Sequence, residues 1–113
     1  MPSQLRSDLW CSAFLRRHNN LGQTAVVVRR GDPIAGQVWI EVDHLNGTVS
    51  LFVPAPALSR DDDSADRLFQ RRFDRVAPAL VRDRIAREAE FDPDMWVLAL
   101  DLRSGDPGLT VVA

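Results

Sequence analysis

QVWIEVDHLNGTVSLFV, residues 37–53, is the stretch on which the fold turns. Its Asn46-Gly47 dipeptide is a strong hairpin signal, because the favoured two-residue turn needs positive φ at both central positions. Gln37–Leu45 and Thr48–Val53 then read as antiparallel strands. A two-residue turn sets Leu45 opposite Thr48, and puts Val42 against Leu51 and Ile40 against Val53 on one face. Glu41 opposes Phe52 on the other face, with Trp39 diagonal to it. The first face reads as core. The second mixes an acid with two large aromatics, so it is expected to be covered by a helix or by a partner.

Working outward, Thr24–Arg30 is β-branched and ends at the turn signal Gly31-Asp32-Pro33. Upstream, Ser7 can cap a helix over 8–20 in which Leu9, Trp10, Ala13, Phe14, Arg17 and Leu21 keep helical spacing, with Gly22 placed to stop it. Downstream, Pro54-Ala55-Pro56 ends the hairpin, and residues 57–65 read as an exposed acidic loop. Arg67–Phe73 reads as a strand with Arg67, Phe69, Arg71 and Phe73 on one side, although a helical stripe of Leu68, Phe69, Phe73, Val76 and Ala77 is the alternative. Pro78 suits the first turn of a second helix whose buried stripe is Leu80, Val81, Ile85 and Ala89, ended by Asp92-Pro93. Met95–Leu102 is apolar on both faces, hence a central strand, and Leu109–Val112 is a short last one. The expected fold is a single α+β domain over 1–113, in the order α-β-β-β-β-α-β-β. It has a mostly antiparallel sheet and two helices packed on one face, with Trp10 and Phe14 buried against the sheet alongside Leu80, Val81 and Ile85.

Composition narrows the chemistry. The 113 residues are 45% hydrophobic and 27% charged with a net charge of −2, which fits one globular domain. All 14 basic residues are arginine, so Schiff-base and phosphate-loop lysines are excluded. No apolar run approaches the roughly 20 residues of a membrane span, and the N-terminus lacks a signal-peptide pattern, so a cytoplasmic, non-membrane protein is expected. One cysteine, Cys11, cannot form an internal disulfide. Cys11 and His18 share a helix face about 10 Å apart, too far for a catalytic pair, and read as a buried thiol and a helix-end histidine. With His44 they are the only Cys and His residues, too few for a structural zinc site.

Three constellations carry the functional readings. The acidic block Asp61, Asp62, Asp63 and Asp66 lacks the glycine and glutamate of a calcium loop and reads as solvated. Glu88, Glu90, Asp92 and Asp94 could do acid–base work or hold magnesium in a metal-assisted hydrolase, but the preferred reading is that Asp92 and Asp94 bond the backbone of a tight turn around Pro93. Arg67, Arg71, Arg72 and Arg75, with Phe69 and Phe73, offer charge and rings for nucleic acid, opposed by the neighbouring aspartates and a pI near 5.6. The preferred reading is a non-enzymatic binding or adaptor domain without cofactor or metal. It would engage a protein partner or a second copy through Trp39 and Phe52, or through Arg67, Arg71, Arg72 and Arg75; nucleic acid is disfavoured.

Three strings also carry a resemblance. Leu9-Trp10-Cys11-Ser12-Ala13 with Leu15-Arg16-Arg17, then Arg67-Leu68-Phe69-Gln70-Arg71, then Ala86-Arg87-Glu88 leading to Phe91-Asp92-Pro93-Asp94-Met95-Trp96-Val97 resemble a family of small alphaproteobacterial proteins known as domain of unknown function 1491. Ala99 stands where the family pattern has an acid. The resemblance implies an origin and carries no activity to transfer.

Overall fold

The computed structural model describes residues 5–56 and 67–112. The elements follow the expected order: α1 (Ser7–Asn20), β1 (Thr24–Arg29), β2 (Val38–Asp43), β3 (Val49–Pro54), β4 (Leu68–Val76), α2 (Pro78–Phe91), β5 (Trp96–Asp101) and β6 (Thr110–Val112). They form one six-stranded sheet, β1-β5-β2-β3-β4-β6. Pairing is antiparallel except for β2 with β5 and β4 with β6, so the sheet is mixed but mostly antiparallel. The segment read as 67–73 forms a strand and not a helix, running Leu68–Val76 with Arg67 just outside it. The acidic block at 61–66, and any pairing of the β4 arginines with it, lies outside the described residues.

The helices do not share a face. Cys11 and Phe14 of α1 pack with Val38, Ile40 and Val42 of β2 and with Trp96, Leu98 and Leu100 of β5. Val81 of α2, with partly buried Ile85 and Ala89, packs instead with Trp39, Leu51 and Val97. Successive strand residues point to opposite sides. The sheet is therefore sandwiched between α1 and α2, which is why β5 is apolar on both faces. Leu80, expected in the α2 stripe, is 51% exposed, and Leu9 on α1 is 51% exposed. Trp10 is only half-buried, stacked on Phe14 at a centroid distance of 5.5 Å.

The hairpin turns through three residues, not two. His44 N donates to Thr48 O at 3.1 Å, enclosing Leu45-Asn46-Gly47. Leu45 and Gly47 take the positive φ values, 61° and 90°. Asp43 Oδ1 accepts from Leu45 N, and Asn46 Oδ1 accepts from both Thr48 N and its hydroxyl, which holds the wider loop. The register moves by one: Ile40 faces Phe52 and Glu41 faces Leu51. Phe52 thereby lies on the α1 side and Trp39 on the α2 side.

A second shift sits in β4. Leu51 opposes Phe73 while the next residue, Phe52, opposes Arg71, so Arg72 is the extra residue of a β-bulge. Phe69 and Phe73, expected on one side, consequently fall in opposite core layers. Farther along, Arg75 adopts φ 52° and its N–H donates to the buried Ser50 hydroxyl at 3.0 Å.

Candidate functional site

The Phe91–Val97 string and the loop between β1 and β2 form one interlocked turn. Asp92 Oδ1 accepts from Asp94 N at 3.0 Å, and its Oδ2 accepts from Gln37 Nε2 at 2.8 Å. The same Gln37 amide nitrogen donates to Glu88 Oε2, while its oxygen accepts from Trp39 Nε1 at 2.8 Å. Asp32 N donates to Asp94 O, Trp96 Nε1 donates to Asp32 O at 2.7 Å, and Trp96 N donates to Gln37 O at 2.8 Å. Asp32 Oδ2 collects Ile34 N and Ala35 N. The loop goes on to start α1: Ser7 N and Asp8 N donate to Ile34 O and Pro33 O, and the Ser7 hydroxyl donates to Gly36 O. Ser7 is therefore the first residue of the helix and not its cap; neighbouring loop carbonyls satisfy the first amides.

This lock accounts for two of the four carboxylates in the hydrolase reading. Glu88 and Asp92 converge on one neutral amide, and Glu88 also pairs with Arg84 at 3.1 Å. Asp94 contributes through its backbone, and its exposed carboxylate makes no hydrogen bond among the described residues. Glu90 is exposed. Among the described residues, no three His, Cys, Asp or Glu side chains are placed to hold one metal ion. The sequence reading missed Gly31 and Gly36, whose bare Cα atoms let the Asp94 carbonyl approach; nothing in their spacing marks them beyond a turn. Replacing Asp92 with Asn is expected to lower stability by about 1 kcal/mol, while Asp94→Asn stays within about 0.5 kcal/mol. Paired urea melts measure the difference.

The other candidates are scattered. Trp39 and Phe52 are each 3% exposed and lie on opposite sides of the sheet, so they form no shared docking face. Arg71 lies over the Phe52 ring at 5.4 Å and Arg72 over its neighbour Phe73 at 4.5 Å. Arg75 pairs with Asp74 at 3.1 Å on the surface. Arg67 donates to Leu5 O and to the Ser7 hydroxyl, and its guanidinium lies 5.9 Å from the Trp10 ring. The rings that would stack on bases are covered by this chain's own arginines or buried, as Phe69 is at 1% exposure. Cys11 is buried against α1's side of the core, and burial pushes its thiol up to about 12, so it is no nucleophile at neutral pH.

Glu41 is a half-buried acid on β2. Burial first, and Asp43 second, raise its pKa, with Arg82 opposing. Its ionised form is penalised in the folded state, so the stability it permits is fully present below the unfolded pKa and lost as pH rises through the folded value. Glu41→Gln is therefore expected to melt above wild type at pH 7, with the gap closing below about pH 4. Thermal melts from pH 3 to 8 measure it.

A family model described as protein of unknown function, DUF1491, matches residues 5–110. Three solved structures are similar. A crystal structure of a DUF1491 family protein from Caulobacter crescentus is 32% identical, with a TM-score of 0.79 over 96% of this chain and 99% of that one. A solution structure of a protein from A. tumefaciens is 30% identical, with a TM-score of 0.82 over 96% and 95%. An NMR structure of a Caulobacter DUF1491 family protein is 31% identical, with a TM-score of 0.77 over 96% and 97%. No curated protein matches the chain.

Proposed function

Because the chain belongs to the DUF1491 family, whose activity is unknown, we propose a function from the geometry: a non-enzymatic protein-binding module that docks an extended partner segment along β1. One observation carries the reading. β1 is a six-residue outer strand of the sheet, and Val26 and Val28 on it are 48% and 56% exposed. Their side chains alternate with those of Ala25 and Val27, which pack on the α1 side. They therefore sit on the face where α2 lies over β3 and β4, at the other end of the sheet. An outer strand presents unpaired N–H and C=O groups, and native proteins guard such edges with lysine, proline or short length. β1 has no lysine or proline; its guards are Arg29 and a bulge near Val28. Main-chain pairing gives a partner strand affinity, and Val26 and Val28 give it side-chain contacts. The opposite edge, β6, has three residues and offers far less.

Arg71, Arg72 and Arg75 stand on β4, separated from β1 by three intervening strands, and form no continuous surface with it. The stacking of Arg71 on Phe52 and of Arg72 on Phe73, with the Arg75–Asp74 pair, weighs against the nucleic-acid reading. No described helix is long and apolar enough to cross a membrane.

The test uses the whole chain and a Val26→Lys/Val28→Lys variant, which changes two exposed side chains and adds charge to the edge. Proteins captured from the source cells by wild type are purified and titrated against both forms. The reading expects at least a tenfold affinity loss in the variant, with β1 amides protected from exchange in the wild-type complex. Equal binding by the two forms, or protection confined to other strands, would overturn it.

A further inference from the structure

The β1 edge carries a charge pattern that selects its occupant. Thr24 faces Asp101 across β1 and β5, and Asp101 faces Asp43 on β2. Asp101 and Asp43 follow Leu100 and Val42, which pack on the α1 side, so both carboxylates lie on the α2 side. They stand at the N-terminal end of β1. At its other end Arg29 faces Val97, which packs with α2, so Arg29 lies on that same side. Arg29 Nη2 donates to Pro93 O at 3.0 Å, and among the described residues it pairs with no carboxylate. Asp101 has no ion pair among them either, and Asp43 Oδ1 accepts only from Leu45 N. Val26 and Val28, both exposed, lie between the two ends. The edge is positive at one end, negative at the other and apolar between them.

Such an edge is complementary to itself in the antiparallel direction. A two-fold axis perpendicular to the sheet pairs β1 with a second β1 and keeps the two α2 sides together. Directly opposed residues of antiparallel strands point to one side of the sheet, so the axis passes beside a residue and not between two. Centred on Val27, it sets Val26 of each copy against Val28 of the other, in one apolar strip. Arg29 then falls opposite Ala25 of the second copy, next to its Thr24. Asp101 of that copy is two strand spacings away, about 10 Å, a span that an arginine and an aspartate side chain bridge together. The two Arg29 residues stand about 13 Å apart along the strands, beyond the screening length of roughly 8 Å at physiological salt. Phe91, 85% exposed, ends α2 two residues before Pro93 and adds apolar surface by the Arg29 end of the edge.

Resting on the β1 docking reading, we propose that the segment docked there is β1 of a second copy. The product is a two-fold dimer whose sheet runs on from one copy into the next. β1 has six residues, so the interface is small and the dimer is reversible, not obligate.

Sedimentation equilibrium of the full chain, from about 10 µM to about 1 mM, reads the association directly. A monomer–dimer equilibrium is expected in that window, with β1 amides exchanging more slowly at its upper end. Asp101→Arg sets like charges together at both ends and should weaken the dimer at least fivefold, as should Arg29→Glu. Arg29→Glu/Asp101→Arg restores both pairs and should return to within about twofold of wild type. Val26→Lys/Val28→Lys should stay monomeric. Amide spectra check that each variant is folded; Asp101→Arg carries the test if Arg29→Glu, which gives up the Pro93 bond, does not fold. A monomer throughout the window, a dimer that Asp101→Arg leaves unchanged, or protection on strands other than β1 would each overturn the proposal. A monomer that still binds a captured foreign segment along β1 overturns the second copy alone and leaves the docking edge standing. Equal capture of partners by wild type and the lysine variant removes the edge itself, and this dimer with it.

Discussion

Replacing Gly31 with alanine is expected to cost on the order of 4 kcal/mol or more, enough to leave little folded protein at 37 °C. The added Cβ would fall inside contact distance of the Asp94 carbonyl oxygen and 2.6 Å from the Met95 carbonyl carbon. Both are backbone, and neither can swing aside as a flexible side chain can. Moving the 94–95 backbone breaks the Asp32 N to Asp94 O bond and the Trp96 Nε1 to Asp32 O bond together, and withdraws the loop whose carbonyls start α1. Gly36→Ala meets the same Asp94 oxygen and stands 2.9 Å from Trp96 Cδ1, so a comparable loss is expected. Gly22→Ala is the contrast: its φ of 83° carries strain, but nothing lies within 4 Å of the added methyl. About 1 kcal/mol is expected there. Urea melts of the three variants measure the ordering, which a uniform glycine effect would not produce.

Phe14→Ala is expected to lose about 3–5 kcal/mol. Phe14 is 1% exposed, stacks on Trp10 at 5.5 Å and meets the His18 ring at 4.4 Å. It joins α1 to the layer built on Ile40, Phe52, Leu98 and Leu100. Removing it leaves a cavity beneath the helix that half-buried Trp10 can fill only by leaving its own contacts with Phe69. A loss below 1 kcal/mol in denaturant melts would place α1 on the wrong face. On the other side of the sheet, Leu80→Ala should change little, because Leu80 faces solvent.

The element order was legible because each element carries a local signal: Pro78 at a helix start, Gly22 at a helix end, β-branched runs, and a run apolar on both faces for β5. What was not legible depends on single-residue offsets. The Asn46-Gly47 signal located the hairpin but not its three-residue loop, which hangs on Asp43 and Asn46 side-chain bonds. The β4 bulge at Arg72 is likewise invisible in an alternation pattern, yet it sends Phe69 and Phe73 to opposite sides. With period-2 side chains, each offset exchanges the two faces. These two shifts dissolved the Trp39/Phe52 surface and the arginine–phenylalanine stripe. Helix placement was hidden for a related reason: strands covered on both sides read the same whichever helix covers which face.

At the Phe91–Val97 string the sequence reading of Asp92 as a turn-former agrees with its bond to Asp94 N. Its long-range partner Gln37 was not foreseeable, being 55 residues away. His18 was readable as a helix-end residue, but its near-complete burial and its Nδ1 bond to Gln23 Oε1 were not.

The claim that the acidic string is a structural lock, in a domain without metal chemistry, has a direct test. Manganese is titrated calorimetrically into the full chain and into Asp92→Asn. The account predicts no saturable heat from either protein below millimolar metal, with Asp92→Asn differing only in its urea midpoint. Micromolar manganese binding that Asp92→Asn abolishes would contradict it, and would make Glu88 and Asp92 the ligands of a hydrolytic site.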